Sequence, residues 1–277
     1  MDHTVFAALQ LSSQADVGAN LDRVAALLGE AARRGAKIAL LPENFAHLGS
    51  DEVTRRAVAE DLAGDAPSGP VATRLAELAR ANDLTILAGG MPERSADPER
   101  PYNTLALFSP DGRFSAPYRK IHLFDVDLAD RSYRESAASS AGAEPAVVEA
   151  AGLRVGLSIC YDLRFPELYR ALADRGAEVL VVPAAFTVPT GKDHWHVLLR
   201  ARAIESQAYV VAAGQWGKHP GGRVTYGKSC IIDPWGEIIA QASEGEGVIV
   251  APIDLGYLRR VRESLPSLRH RRLRSVG

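Results

Sequence analysis

The sequence holds little cysteine, no long apolar run and almost no surplus charge, and each shortage narrows what it can be. Two cysteines in 277 residues, Cys160 and Cys230, cannot build a disulfide framework, which fits a reducing compartment. No apolar stretch approaches the roughly 20 residues of a membrane-spanning helix. The formal net charge of −2, from 32 basic and 34 acidic side chains, supplies no general field for nucleic acid or an anionic bilayer. The basic run "RHRRLRS" from Arg269 is short, terminal and without stacking aromatics, so DNA or RNA binding is not expected either. The opening "MDHTVFAALQLSS" has no basic n-region, long apolar stretch or small-residue cleavage site, and the expected location is the cytoplasm. Walker and dinucleotide glycine motifs are missing, and His122, His194, His196 and His219 form no zinc-ligand spacing. No metal or organic cofactor is expected; the expected partner is a small molecule.

What is present is a 47% hydrophobic chain in which strand-like and helix-like patterns alternate, the mark of a layered α/β architecture. Val5 to Leu11 reads as a strand, Asn20 to Arg34 as an amphipathic helix with Asn20 as N-cap, and Ile38 to Leu41 as a short buried strand stopped by Pro42. A helix over Pro70 to Ala81 leads to a strand at Leu84 to Ala88, then to a hairpin around Pro110-Asp111-Gly112. Lys120 to Glu144 is irregular, and a loop of that length inside a compact domain is often functional. The second half restarts with a strand at Leu153 to Ile159, a helix at Pro166 to Arg175 and a strand at Val179 to Val182. A helix over Lys192 to Gln207 and strands at Tyr209 to Ala213, Ser229 to Ile232 and Glu237 to Gln241 follow. No Ser/Gly-rich linker divides the halves, so one domain is expected over residues 1–277.

One stretch occurs twice. "GAKIALLPENF", Gly35 to Phe45, and "GAEVLVVPAAF", Gly176 to Phe186, share a Gly-Ala break, an apolar strand, a proline and a phenylalanine, which implies internal pseudo-symmetry. Glu43 in the first copy corresponds to Ala184 in the second. A glutamate at a strand end is often a plain surface residue, but the carboxyl end of a buried strand is where α/β proteins collect their chemistry. Cys160, in "LRVGLSICYDLRFPE", lies at the same kind of place, between an apolar strand and a helix opened by Pro166. A lone cysteine is usually a small inert hydrophobe, and Cys230, inside the strand of "KSCIIDPWG", is assigned to packing. Cys160 differs because a polar pair, Tyr161-Asp162, follows it. Lys120, in "APYRKIHLFDVD", opens the irregular loop; alone it reads as a solvated lysine. Together the three make sense: a thiol of pKa about 8.5 needs a base or a cation to act as a nucleophile at neutral pH. Glu43 can be the base, and the Lys120 ammonium can steady both a thiolate and an oxyanion.

In that chain order, Glu after "LLP", Lys in "YRKIHLFD" and Cys in "ICYDLRFPE" resemble the Glu-Lys-Cys triad of the nitrilase superfamily of carbon–nitrogen hydrolases. "CYDLRFPEL", "TGKDHWHVLLRARAIESQAYVVAAGQ" and "YGKSCIIDPWGEIIA" resemble its Nit branch, and the likeness covers nearly the whole chain. The resemblance implies a four-layer α-β-β-α sandwich and a thioester-forming amidase in which the second copy of the repeat keeps only the framework. It also implies a homodimer or larger homo-oligomer, with the basic tail from about residue 257 packing at a subunit interface. It assigns Glu135, in "RSYRES", to orienting Lys120, and the backbone N–H of Tyr161 to the oxyanion. Nitrile-cleaving relatives carry Trp-Glu after the cysteine where this chain has Tyr161-Asp162, which favours amides. Relatives often have Pro-Gly where this chain has Leu128-Ala129-Asp130. Arg164 can fork onto a substrate carboxylate or pair with Asp162 or Glu167. Thr190, His194 and Trp195 become pocket-wall candidates by the same resemblance. The branch it resembles most acts on deaminated glutathione, giving 2-oxoglutarate and cysteinylglycine; the alternative is the omega-amidase branch acting on 2-oxoglutaramate.

Overall fold

The first strand alternates its burial partners, with Phe6 and Ala8 in one apolar cluster and Ala7 and Leu9 in another, and this two-residue period forces a sheet covered on both faces. A computed structural model describes residues 3–50, 52–66, 68–127 and 132–273. The chain begins with β1 (His3–Gln10), α1 (Val17–Arg33), β2 (Ile38–Leu41), α2 (Pro70–Asn82), β3 (Thr85–Glu93), β4 (Tyr102–Phe108) and β5 (Phe114–Arg119). A small hairpin, β6 (Asp125–Asp127) and β7 (Ser132–Arg134), occupies the irregular loop. The second half runs through β8 (Val147–Ala150), β9 (Leu153–Leu157), α3 (Pro166–Asp174), β10 (Val179–Ala184), α4 (Val188–Ser206) and β11 (Tyr209–Gly214). The hairpin β12 (Trp216–Lys218) and β13 (Val224–Tyr226) precedes β14 (Cys230–Ile232), β15 (Ile238–Gln241), β16 (Gly247–Asp254), α5 (Leu255–Ser264) and α6 (Ser267–His270).

Two six-stranded sheets result, in the orders β16-β1-β2-β3-β4-β5 and β15-β14-β11-β10-β9-β8. The pattern β1-α1-β2 in the first corresponds to β9-α3-β10 in the second, each pair of strands parallel. The sheets pack on each other through Phe6, Ile38, Leu40 and Leu87 against Val179, Val181 and Val211, while α1 and α2 cover the outer face of the first. α3 and α4 lie on the second, completing the α-β-β-α sandwich.

Several boundaries differ from expectation for physical reasons. The N-cap of α1 is Asp16, whose carboxylate accepts the Ala19 N–H at 3.0 Å; Asn20 lies inside the helix and is buried. The Asn20 amide instead bonds the Gln14 and Ala46 carbonyls at 2.7 and 2.8 Å, stitching the loop after β2 to the helix. β3 runs five residues past Ala88 because a bulge between Ala88 and Met91 lets it continue after a register shift. α4 starts at Val188, a turn before Lys192, with Pro189 in its first turn. The basic end docks onto its own chain: Arg262 donates to the Gln207 and Ala177 carbonyls at 2.9 and 2.8 Å, and Arg271 pairs with Asp174. Among the described residues no helix is long and apolar enough to cross a membrane. Leu128-Ala129-Asp130, where relatives were expected to differ, lies outside the described residues.

Candidate active site

Three strand ends converge on one buried point between the sheets. β2 stops at Leu41, Pro42 breaks the ladder, and Glu43 turns inward; the next residue, Asn44, has φ of +60°. Room for this turn comes from Gly90, itself at φ +73°, where a Cβ would lie 2.8 Å from both the Glu43 Cγ and the Asn44 nitrogen. β5 delivers Lys120, whose N–H donates to the Asn103 carbonyl at 2.8 Å. From the other sheet, β9 ends and Cys160 opens a single 3-10 turn, Cys160–Arg164, with φ of +50°. A non-glycine residue in the left-handed region is strained, and such strain gathers where a side chain must be aimed. Asp162 holds the turn. Fully buried, it accepts from the Ile159 N–H at 2.9 Å, the Tyr118 hydroxyl at 2.5 Å, and the His122 N–H and Nδ1 at 3.0 and 2.7 Å. Tyr118 and His122 flank Lys120, so one carboxylate registers the lysine segment against the cysteine turn.

The resulting cluster straddles the two sheets. Lys120 Nζ donates to Glu43 Oε1 at 3.0 Å and to Glu135 Oε1 and Oε2 at 3.0 and 2.8 Å. Asn103 Nδ2 donates to Glu43 Oε1 at 2.9 Å, and the Phe124 N–H to Glu135 Oε2 at 2.7 Å. The Cys160 thiol lines the same pocket as Glu43, Lys120 and Ala185, close enough for the charges of Glu43 and Lys120 to act on it. All four side chains, Glu43, Lys120, Glu135 and Cys160, are buried.

Charge states follow from these contacts. Burial alone would push the Glu43 carboxyl up, but the Lys120 ammonium, the Cys160 thiol and the Arg223 guanidinium outweigh it and hold it at about 2. Burial and the negative Glu43 push the Cys160 thiol well above its ordinary range, against the opposing pull of Lys120. Burial would lower Lys120, yet Glu135 and Glu43 keep it raised and charged. The resting site therefore holds a neutral thiol, an ionised carboxylate and an ammonium. Such a thiol becomes nucleophilic only as its proton leaves for Glu43. Cys230 contrasts with it: wholly buried in β14, its thiol is pushed up to about 12 by burial alone.

A pocket opens onto this cluster. Tyr161, Arg164 and Thr190 line it, as do Phe124, Phe186 and Arg223. Arg164 meets His194 Nδ1 at 3.3 Å and lies over the Phe186 ring; among the described residues it makes no ion pair with Asp162 or Glu167. His194 is exposed and touches the pocket only through Arg164. Trp195 does not form the wall. It is buried on the inner side of α4, gives its indole N–H to the Lys228 carbonyl at 2.8 Å, and backs the Phe186 ring at 5.0 Å. Asn103 and Arg223 escaped the sequence reading. Asn103 had a signal, a polar residue within the apolar run of β4; Arg223, in a glycine-rich turn, had none.

A sequence model of the family described as carbon-nitrogen hydrolase matches residues 6–263. A deaminated glutathione amidase of Synechocystis sp. is 47% identical over 270 residues, covering 96% of this chain and 97% of its own. An omega-amidase of Xenopus tropicalis is 40% identical over 255 residues, covering 91% of this chain and 89% of its own. Among solved structures, the C. elegans NitFhit protein superposes with a TM-score of 0.91 at 37% identity over 98% of this chain, which spans 66% of that longer protein.

Proposed function

The chain belongs to the carbon-nitrogen hydrolase family and is a cysteine-type amidase acting on a C–N bond other than a peptide bond; within that activity, we propose that Cys160, Glu43 and Lys120 form its catalytic triad and that it cleaves deaminated glutathione. The observation that carries the reading is one buried cluster in which the Lys120 ammonium bonds the Glu43 carboxylate and the Cys160 thiol lines the same pocket, with both sheets contributing. Sγ of Cys160 attacks the amide carbonyl carbon while its proton passes to Glu43. The new oxyanion is held by Lys120 Nζ and the Tyr161 N–H; one such donor is worth roughly 3–4 kcal/mol in the transition state. Glu135, gripping Lys120 through both oxygens, fixes the ammonium's position. As the C–N bond breaks, Glu43 returns its proton to the departing nitrogen, leaving a thioester. Water, deprotonated by Glu43, then attacks the thioester carbon, and the acid departs as the thiol regains its proton. Arg164 and Thr190, on the pocket wall, receive a carboxylate of the acyl half; His194 steers Arg164 through its ring nitrogen.

Support for deaminated glutathione comes from the 47% identical relative that carries that name, and the omega-amidase at 40% favours 2-oxoglutaramate as the second reading. The test is 2-oxoglutarate release from each compound by the purified protein. A higher kcat/KM for deaminated glutathione is expected, unaffected by chelators and lost in Cys160→Ala; turnover surviving in that variant overturns the nucleophile. The protein acts in the cytoplasm as one domain over residues 1–277 and pairs with a second copy. The exposed Val197, Ile204, Trp235, Ile238 and Ile239 supply the apolar face, with the tail from about residue 257 beside it. A monomer in sedimentation at micromolar concentration overturns that pairing.

A further inference from the structure

Beyond the pocket at Cys160, past Asn44, Arg55, Tyr133 and Arg223, lies a second bay, and those four residues line both chambers. Three observations give the bay a role. Its wall is basic: Arg55, Arg134, Arg223 and His47 contribute to it, and no carboxylate does among the described residues. It opens beside Asn44, the chain neighbour of Glu43, the residue proposed above to protonate the leaving nitrogen. Arg164 and Thr190 line the other chamber and not this one.

Within the bay the cations differ in position. Arg134 pairs with Asp127 at 2.7 Å, Arg55 lies 3.7 Å from Glu135 and donates to Ser139, and the His47 ring contacts the Ala15 carbonyl and Thr54. Arg223 stands at the throat. Its Nη2 is tethered at 3.1 Å to the carbonyl of Ala185, which lines the pocket with Cys160, and its guanidinium lies over the Tyr133 ring at 5.8 Å. The guanidinium is thus anchored to the wall of the thiol pocket, with a planar fork suited to carboxylates.

We propose that this bay is the leaving-group chamber and that Arg223 binds a carboxylate carried by the departing amine, so that the enzyme selects amides bearing an acid on each side of the scissile bond. The proposal rests on the amidase reading above and deepens it: an enzyme releasing only ammonia has no use for a basic chamber beside its thiol pocket.

Three substrates test it in wild type, Arg223→Gln and Arg223→Lys: deaminated glutathione, its C-terminal carboxamide, and 2-oxoglutaramate. Wild type should prefer the acid over the carboxamide in kcat/KM by roughly 10- to 100-fold, the range of a charge-assisted hydrogen bond. Arg223→Gln should bring the two within about threefold, and Arg223→Lys should restore part of the preference, a pattern that mere misfolding does not produce. Equal use of acid and carboxamide by wild type, or an undiminished preference in Arg223→Gln, overturns the proposal. Calorimetric binding of cysteinylglycine and its amide to Cys160→Ala protein needs no turnover and separates the two levels. If neither amide substrate is cleaved but the acid still binds and its amide does not, the substrate reading falls and the chamber stands. If the acid binds no better than its amide, the chamber falls.

Discussion

Leu41-Pro42-Glu43-Asn44-Phe45 and Val182-Pro183-Ala184-Ala185-Phe186 leave their sheets with nearly the same residues but are held by different bonds. In the second copy the main chain does the holding. β10 stays paired with β11 as far as Ala184 opposite Gly214, the Ala184 carbonyl takes the Gln215 N–H at 2.9 Å, and the Phe186 carbonyl takes the Tyr226 N–H at 2.9 Å. In the first copy the ladder with β3 ends at Leu41, opposite Ala88, where the bulge begins. Side chains take over: Gln215 Nε2 reaches the Glu43 carbonyl at 3.0 Å, the Ser13 hydroxyl the Phe45 carbonyl at 2.9 Å, and Asn20 the Ala46 carbonyl at 2.8 Å. A strand end held by its ladder accepts a methyl group and cannot turn. One released from its ladder can enter the left-handed turn at Asn44 that aims a carboxylate at the thiol. The second copy keeps more than the framework that the sequence suggested, because Ala185 and Phe186 line the pocket at Cys160. One end gives the site a carboxylate, the other a stretch of its wall.

The sharpest way to break this contrast is to write the second copy's residue into the first. Glu43→Ala should cut kcat/KM by about 10³- to 10⁴-fold, the upper range for a lost general acid–base, measured by steady-state release of 2-oxoglutarate. The reverse change, Ala184→Glu, puts a carboxylate at a wholly buried position on the main-chain-held end. It should cost about 3–5 kcal/mol in urea unfolding and leave no second base. Gly90→Ala attacks the bulge itself: a Cβ at φ +73° pressed on Glu43 should cost about 1–3 kcal/mol and roughly tenfold in kcat, with KM little changed.

The smallest effect is a pH dependence specific to the side-chain brace. His219 Nδ1 contacts the Ser13 carbonyl at 2.8 Å and Nε2 the Thr225 hydroxyl at 2.7 Å, and Ser13 in turn holds Phe45. Burial, reinforced by the Arg223 charge, lowers His219 from 6.5 to about 4 although the Ser13 carbonyl opposes the shift. The unfolded chain therefore takes up this proton first, so the stabilisation is complete above pH 6.5 and is lost as pH falls toward 4. By pH 5 the loss should be about 1–2 kcal/mol. His219→Gln should flatten that part of the stability–pH curve; an unchanged slope would remove His219 from the brace.

Elements with a clean period were legible in the sequence. β1, α2, and the β4–β5 hairpin around Pro110-Asp111-Gly112 lie within a residue or two of where the pattern puts them. β16 was missed because Pro252 interrupts "GVIVAPID"; the structure tolerates it because β16 is the edge strand, antiparallel to β1. Glu43, Lys120 and Cys160 stood out because each ends a strand in a polar context, and the structure brings them together with Glu135. Trp195 was misplaced because the phase of α4 buries it with Leu199, Arg202 and Ala203, which helix boundaries alone do not fix. Asp162 as the clamp between lysine and cysteine segments, and Arg223 at the throat, depend on contacts across 40 and 38 residues of chain. No local pattern encodes such pairings.

The carboxylate and the ammonium follow strands of one sheet while the sulfur follows a strand of the other, so the cluster exists only where the two are joined. Neither slab alone carries a thiol beside both charges, and the chemistry proposed for the trio waits on one layer meeting the other.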